Sequence, residues 1–435
     1  MPVVIFACTL DAHAFESLLP FASTLARRGC RVLFLAEPSF RARAEAAGLE
    51  FVRMSDLDDE EDVDVAGLPR RTDVARRLLA FERTIRRHHV DRLTAQHRSL
   101  QSLLARIAAQ HPDGPAPVLV HDTMFLGAWP LLLGAAGHRP AAILSIGVMP
   151  PPLSDEFTAP FGLALPPDGS DAGRRLNAAM NAQLHELFAG TQAALDRALR
   201  RCGATRPPPF VLDGVVSLPD GVLQLSVAQL EYARGNALPT LSYIGLAPAG
   251  AGAAALPAWW SDLDTARPVV LVAAGRLAGG DLDPLVRSTL YALRNEPVLI
   301  VVAVDWNARR FGPLPVNARS APELPLEALL AWVDVVVSHG AYADTQRALS
   351  HGVPVIMAPQ TESERELAAR VVRAGAGVQL TTAFSVEEIL VAVQAVVETM
   401  AFLVAARRLR DAYLRHDAVE AVVAAVLAHA TPPRP

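Results

Sequence analysis

The sequence contains no lysine, so all 40 of its basic residues are arginine. This absence excludes a Walker-type phosphate-binding lysine, a Schiff-base lysine and a lysine general base. Cysteine is also scarce: Cys8, Cys30 and Cys202 lie far apart, and none belongs to a CxxC pair. Their spacing excludes a cysteine metal centre and a disulfide framework, so we predict a protein of the reducing cytoplasm.

An excess of basic charge and long apolar runs are missing as well. The 40 arginines face 45 acidic residues, and the formal net charge is −5 at pH 7. No nucleic-acid partner is predicted, because binding phosphates needs a cationic excess. The most apolar window, residues 125–149, is interrupted by Gly134 and Pro140, so we predict no membrane span. Residues 1–10 lack the basic segment and cleavage site of a signal peptide and are predicted to form a strand.

What the sequence does contain is a regular alternation of short apolar runs with amphipathic stretches. Strands are predicted over residues 3–8, 31–35 and 117–120, with helices over 16–28, 40–47, 74–110 and 126–136. After a segment rich in Pro, Gly and Ala at 247–257, further strands are predicted over 268–273, 298–303, 333–337 and 353–357. This alternation predicts two doubly wound α/β domains with parallel sheets. Their ligand sites, at the carboxyl ends of the strands, could then face each other across a cleft.

Residues 335–359 carry the strongest local signal for a ligand site. The sequence predicts a buried strand that ends at Ser338, a turn of small residues, and a helix that begins near Ala343. Free backbone N–H groups and the positive end of the helix dipole suit such a turn to bind a diphosphate. His339 lies in the turn and could donate a hydrogen bond to a phosphate oxygen. The same pattern is equally compatible with a buried histidine in an ordinary β–α connection.

The run from Ser338 to Gly377 resembles the donor-binding motif of family-one nucleotide-sugar glycosyltransferases. Residues 259–264 and 361–371 are similar to the bacterial macrolide and natural-product branch of that family. The resemblance implies an α/β architecture of the GT-B type, in which two Rossmann-like doubly wound domains face each other across a cleft. It implies an acceptor-binding domain over residues 1–235, a linker over 236–257, a nucleotide-sugar-binding domain over 258–410, and a C-terminal helix over 411–435 that crosses back onto the first domain.

The resemblance also implies a catalytic pair in the N-terminal half. His13 follows the first predicted strand, in an Asp-Ala-His sequence where the family carries a general-base histidine in a pattern like Asp-Gly-His. An imidazole of near-neutral pKa is well suited to remove the proton of an acceptor hydroxyl. Asp122 follows the strand at 117–120 and is predicted to orient and stabilise the His13 imidazolium. The alternatives are that His13 lines the following helix and that Asp122 is a helix N-cap.

Several positions of the predicted donor site depart from the family pattern. Ala341 replaces a second glycine, and Asp344 occupies the place of a phosphate-binding Thr or Ser. A carboxylate beside a diphosphate is unfavourable unless it is paired or points away. Arg347 replaces a ribose-binding glutamate. Arg276 could compensate by gripping a phosphate with its two parallel N–H groups, or could pair with Asp344 and block the site.

The complete set of predicted binding residues is larger. Ser363 and Glu364 stand where the family has an Asp-Gln pair that holds sugar hydroxyls, and Thr345 or Gln346 could replace the missing phosphate contact. The predicted donor-binding residues are Gly275, Arg276, Leu324, His339, Gly340, Ala341, Asp344, Thr345, Gln346, Ser363 and Glu364. The predicted acceptor-binding residues are Met124, Phe125, Met149 and Phe161.

These observations imply an inverting glycosyltransferase that moves a sugar from a UDP- or TDP-sugar to a hydroxyl of a small lipophilic natural product. Asp281 and Asp283 open a predicted helix and do not suggest a cation site, so we predict metal independence and no cofactor other than the nucleotide sugar. The alternative is a catalytically degenerate GT-B relative that acts as a binding or partner protein. It is favoured by the changes at the phosphate site and opposed by the retained His13 and Asp122. The sequence contains no residues distinctive of an epimerase of the same architecture. It is compatible with a homodimer.

Overall fold

The computed structural model describes residues 2–9, 11–54, 74–234, 238–248, 255–264, 266–273 and 282–430. The strands in this part of the chain are β1 (Val3–Ala7), β2 (Arg31–Ala36), β3 (Glu50–Arg53), β4 (Val118–Asp122), β5 (Ala142–Gly147), β6 (Gly221–Gln224), β7 (Leu241–Tyr243), β8 (Val269–Ala273), β9 (Leu299–Val302), β10 (Ala318–Ser320), β11 (Val335–Ser338), β12 (Val355–Met357) and β13 (Gly377–Gln379). The helices are α1 (Ala12–Arg27), α2 (Arg41–Ala46), α3 (Val74–Ile85), α4 (Leu93–Gln110), α5 (Trp129–Leu132), α6 (Asp171–Leu187), α7 (Ala189–Arg201), α8 (Val211–Ser217), α9 (Pro284–Leu293), α10 (Ala308–Phe311), α11 (Leu326–Leu330), α12 (Tyr342–Ser350), α13 (Glu362–Arg373), α14 (Val386–Glu398), α15 (Met400–Tyr413) and α16 (Ala418–Ala430).

The described strands form two parallel sheets, one in each domain. The first has the order β3-β2-β1-β4-β5-β6-β7 and the second the order β10-β9-β8-β11-β12-β13. In both sheets the two strands that follow the starting strand, β1 or β8, add one after another on one side of it. The chain then crosses to the other side of that strand and adds the remaining strands there. The two doubly wound, Rossmann-like domains predicted from the sequence are therefore confirmed. The switch points, between β1 and β4 and between β8 and β11, are where such sheets bind ligands.

The core of the first domain lies on both faces of its sheet because consecutive strand residues point in opposite directions. Phe6 and Phe34 pack on one face against Phe15 of α1, within one hydrophobic cluster. Ile5 and Leu33 pack on the other face, under α4. Burial on both faces explains why these strands appear in the sequence as continuous apolar runs.

The last helix crosses from the second domain back to the first. In α15, Leu409 and Tyr413 belong to the core of the C-terminal domain. In α16, Val422 and Val426 are fully buried in the cluster that contains Phe15 of the first domain. The helix that crosses back in GT-B proteins is thus present, and it begins after the break that separates α15 from α16.

Several local predictions differ from the structure. The helix predicted over 74–110 is divided into α3, a π-helical turn at Arg86–Val90, and α4. The helix predicted over 126–136 is shorter, because after a 3-10 turn only α5 is helical. The predicted linker at 236–257 contains β7, which pairs with β6 at the edge of the first sheet. In the described part of the chain no single helix is long and apolar enough to span a membrane; α14 with the segment Met400–Ala430 passes that test only as a pair, bent by 71°.

Candidate active site at the interdomain cleft

The turn between β11 and α12 depends on a glycine at position 340. Gly340 adopts φ +96°, and a Cβ added there would approach Cε of Met357 to 2.4 Å, so both backbone and space require glycine. The Gly340 N–H donates to Oγ of Ser338 at 3.1 Å. At the N-terminus of α12, Ala341 occupies the cap position and provides no capping side chain. The first N–H groups of α12 therefore keep their capacity to bind an anion.

The His339 ring contacts a carboxylate and a backbone carbonyl oxygen in this turn. Its Nε2 lies 2.9 Å from Oδ2 of Asp283, and its Nδ1 lies 2.9 Å from the Ala358 carbonyl oxygen. The Asp283 carboxylate is a hydrogen-bond acceptor, so Nε2 donates to it. Nε2 of Gln360 also lies 3.2 Å from Nδ1. Burial opposes the charge, but the hydrogen bonds to Asp283 and Ala358 outweigh it, and the pKa of His339 is raised. A direct phosphate contact from this ring requires the exchange of one of these two partners.

The first turn of α12 lies near α1 of the opposite domain. Tyr342, the first residue of α12, packs against the cores of both domains, and its hydroxyl accepts a hydrogen bond from Nε2 of Gln224 at 2.7 Å. Asp344 is exposed, but the protein around its carboxyl partly removes water and raises its pKa, whereas the charges of His13 and Arg347 lower it. His13, from the opposite domain, is therefore within electrostatic reach of the predicted phosphate site.

His13 lies in the first turn of α1 with its ring exposed. The Asp11 side chain caps this helix, its Oδ1 accepting from the His13 backbone N–H at 2.8 Å. Among the described residues, none forms a hydrogen bond with the imidazole of His13. The ring is thus free to accept a proton from a ligand in the cleft.

Asp122 does not form a hydrogen bond with the His13 ring. It ends β4 with 1% of its surface exposed, and its Oδ2 accepts from the Thr9 N–H at 2.8 Å. Its Oδ1 accepts from the Met124 N–H at the same distance. Burial raises the pKa of Asp122 to about 7, although these backbone donors oppose the rise. Asp122 thereby holds the loop that precedes His13, and the bond to Met124 closes a turn rather than capping the predicted helix.

Two of the predicted phosphate contacts lie inside the protein. Gln346 is 0% exposed, with Nε2 donating to the Leu225 carbonyl oxygen and Oε1 accepting from the Tyr413 hydroxyl, both at 2.6 Å. Thr345 is also buried, and its Oγ1 has no partner within the described residues. The structure therefore does not bring Gln346 to the turn but places it in the interdomain core.

The predicted sugar-binding pair begins α13, beside the turn. Oε2 of Glu364 accepts from the N–H groups of Gln360 and Thr361 at 2.8 and 2.9 Å, closing a capping box. The position of a Cβ on Gly340 would lie 3.8 Å from Cβ of Glu364, so this pair and the turn are neighbours. Ser363, next in sequence, is half-buried.

Of the remaining predicted donor residues, the structure describes Leu324 but not Gly275 and Arg276. Leu324 is half-buried against the core of the C-terminal domain. Gly275 and Arg276 lie outside the described residues. Among the residues that the structure does describe, no group of three or more His, Cys, Asp or Glu side chains could hold a metal ion.

Three of the four predicted acceptor residues come together. Met124, Met149 and Phe161 pack in or against one apolar cluster of the first domain. Phe125 is fully buried in a different cluster, on the other face of the sheet. Phe81 of α3, which was not predicted, lies 5.8 Å from Phe161 between ring centroids. The helical spacing of apolar residues indicated that one face of α3 packs against the protein, but it did not indicate that Phe161 is the partner.

Comparison with known proteins decides the family. Residues 288–428 match the family model described as Erythromycin biosynthesis protein CIII-like, C-terminal domain. The chain is 32% identical over 432 residues to UDP-glycosyltransferase 2 of Phaeomoniella chlamydospora, covering 97% of this chain and 94% of that protein. It is 33% identical over 426 residues to 4'-demethylrebeccamycin synthase of Lentzea aerocolonigenes, covering 94% of each. This chain belongs to the family-one glycosyltransferases.

Solved structures agree on the fold of this glycosyltransferase. The calicheamicin glycosyltransferase CalG4 superposes with a TM-score of 0.70 at 20% identity, covering 100% of both chains. The spinosyn rhamnosyltransferase SpnG superposes with a TM-score of 0.67 at 21% identity, covering 98% of this chain and 100% of that one. The GT-B architecture is thereby confirmed. The names of these relatives are those of enzymes of natural-product type, and they give no support to a binding protein without activity.

Two acidic residues of this glycosyltransferase were not among the predicted site residues. Asp283 caps α9, its Oδ1 accepting from the Leu285 N–H at 2.7 Å, and its other oxygen contacts His339. The cap was visible in the sequence, but the contact was not, because His339 lies 56 residues away. Glu366 of α13 accepts hydrogen bonds from the backbone N–H groups of Gly162 and Ala164, and no pattern in the sequence indicated these partners.

Proposed function

We propose that this glycosyltransferase catalyses an inverting, metal-independent transfer of a sugar from a UDP- or TDP-sugar to a hydroxyl of a small lipophilic natural product. One observation carries the proposal: the exposed imidazole of His13, which has no hydrogen-bond partner among the described residues, lies near enough to the first turn of α12 for its charge to lower the pKa of Asp344. A relative named as a UDP-glycosyltransferase supports the donor class. SpnG, solved with thymidine diphosphate and with the spinosyn aglycone, supports both donor and acceptor classes.

The chemical step follows from these positions. His13 accepts the hydroxyl proton as the acceptor oxygen attacks the anomeric carbon. The bond between that carbon and the diphosphate oxygen breaks, and the diphosphate leaves with the electron pair. Attack opposite to the leaving group inverts the anomeric configuration. Asp122 contributes by holding the Thr9 end of the loop that positions His13.

The charge of the leaving group is balanced by the protein in this proposal. The first N–H groups of α12 bind the diphosphate, and the His339 imidazolium adds positive charge beside them. Ser363 and Glu364 lie next to the same turn and hold the sugar hydroxyls. The cluster of Met124, Met149 and Phe161 provides the apolar surface for a lipophilic acceptor.

The test compares His13→Ala with His138→Ala in transfer assays with UDP- and TDP-sugars and a panel of phenolic and macrolide acceptors. His138 is an exposed histidine that precedes β5, at the amino ends of the strands and so away from the candidate site, and it serves as the matched control. We expect His13→Ala to lower kcat by about 100-fold or more. Binding of UDP or TDP, measured by thermal shift, should not change.

Three outcomes contradict the proposal. Loss of nucleotide binding in His13→Ala argues against its role as a base. A product with retained anomeric configuration, determined by NMR, excludes the single displacement. A rate that falls on addition of EDTA excludes metal independence.

A further inference from the structure

The loop at residues 149–164 carries two predicted acceptor residues, Met149 and Phe161, yet one of its anchors comes from the other domain. Oε1 of Glu366, in α13, accepts hydrogen bonds from the N–H groups of Gly162 and Ala164 at 2.8 and 2.9 Å. Glu366 is 4% exposed. The carboxylate therefore fixes the backbone immediately after Phe161, across 204 residues of sequence.

The backbone conformation of this loop requires such an anchor. Gly162 adopts φ +98°, and Ala164 adopts φ +55°, the left-handed region that is unfavourable for a residue with a Cβ. This conformation directs two nearby N–H groups at a single oxygen, an arrangement that suits an anionic acceptor. A strained alanine persists only where the surroundings hold it, and the Ala164 N–H donates to Glu366.

Glu366 is itself held rigidly. Its Oε2 accepts from Nη1 of Arg370, one helical turn later, at 2.8 Å. Nε of Arg370 donates to Glu231 at 2.7 Å, and its guanidinium lies 4.1 Å above the Tyr232 ring. All of these side chains are buried, so the carboxylate has little freedom to move away from the loop.

We propose that Glu366 is a positioning residue for the acceptor, which gives the Phe161 loop its binding shape from the nucleotide-sugar domain. The same helix begins with Ser363 and Glu364, beside the donor turn. One rigid helix thus connects the sugar donor to the acceptor loop, and the acceptor surface is complete only when the two domains are docked. This inference rests on the proposed function of the loop in binding the acceptor.

Two variants distinguish the effect of the negative charge of Glu366 from the effect of its oxygen as a hydrogen-bond acceptor. Glu366→Ala removes both, whereas Glu366→Gln keeps an oxygen for the loop and loses the charge that faces Arg370. Arg373→Gln is the matched control: Arg373 is exposed on the same helix and donates to the Glu231 carbonyl oxygen at 2.8 Å, so it contributes to domain docking without touching the loop.

The first measurement is amide hydrogen exchange without substrate. Gly162 and Ala164 should exchange at least about tenfold faster in Glu366→Ala, with a smaller increase in Glu366→Gln and no change in Arg373→Gln. If Glu366→Ala does not fold, Glu366→Gln alone decides. Unchanged exchange in the folded Glu366 variants, or an equal increase in Arg373→Gln, overturns the proposal.

The second measurement is the steady-state kinetics of the folded variants. The acceptor KM should rise about tenfold or more in Glu366→Ala and less in Glu366→Gln, while the donor KM stays within about twofold. If the wild-type protein transfers sugar but the Glu366 variants keep its acceptor KM, this inference fails and the proposed function stands. If the wild-type protein transfers no sugar in any assay, the proposed function itself fails, whatever the exchange rates show.

Discussion

The contact between Asp283 and His339 predicts a stability that depends on pH. Asp283→Asn removes the negative charge, but asparagine still caps α9, so the change isolates the interaction with the imidazolium. Hydrogen bonds to charged groups stabilise proteins by about 1.5–3 kcal/mol. The His339 and Asp283 side chains are 19% and 10% exposed, and partial screening favours the lower half of this range, about 1.5–2 kcal/mol.

The sign follows from the direction of the pKa change. The pKa of His339 is raised in the folded protein, so protonation favours the folded state. The stabilisation is fully present below the ordinary histidine pKa of about 6.5 and is lost as the pH rises through the raised value. Asp283→Asn should therefore lower the free energy of unfolding by about 1.5–2 kcal/mol near pH 5.5, and by progressively less towards pH 9.5.

Urea unfolding over this pH range measures the difference, and NMR of the imidazole protons follows the His339 ring directly. The signal is assigned by its loss in His339→Gln. Asp220→Asn is the matched control, because the Asp220 carboxylate accepts from the Ile143 N–H and contacts no histidine among the described residues. The reasoning is refuted if the destabilisation by Asp283→Asn is the same at every pH, or if the pKa of His339 does not fall in that variant.

Two further predictions concern the turn before α12. Asp344→Thr removes a carboxylate from the first turn of this helix. The variant should bind UDP or TDP roughly two- to fivefold more tightly, as measured by calorimetry. Weaker binding would show that the carboxylate does not oppose the diphosphate. Gly340→Ala should cost about 1–2 kcal/mol for its positive φ, and more because its Cβ meets Met357. Gly48→Ala, at φ +76° with no atom within 4 Å of the added Cβ, should show the backbone cost alone. Equal losses of unfolding free energy in the two variants would contradict the clash at Met357.

Much of the fold was predictable because the signals are local. Strands such as β1, β4 and β11 are buried on both faces, so each appears as an uninterrupted apolar run. The strands β7, β10 and β13 were not predicted, because each has three residues and is only partly buried, and so none appears as an apolar run. β12 is equally short but fully buried, and it was predicted. β5 was overlooked because it lies within an apolar window that Gly134 and Pro140 interrupt.

The location of the candidate site was also predictable, since ligands bind doubly wound sheets at the carboxyl ends of the strands. His13, Asp122 and His339 each follow or end a strand and lie in that region. Their roles in catalysis and binding stay predictions. The partners of these side chains were not predictable: Asp122 bonds to Thr9 and Met124, and His339 bonds to Asp283.

The order of residues along the chain thus determined which segments form strands and helices, which family the protein resembles, and at which sheet edges its polar residues lie. Only the tertiary structure decided that Gln346 is buried between the domains, that Asp283 contacts the His339 ring, and that Glu366 holds the loop after Phe161. The physical reason is the separation along the chain over which each kind of interaction acts. Hydrophobic periodicity and helix caps act over a few residues, whereas these contacts join groups tens to hundreds of residues apart and exist only when both domains are folded and docked.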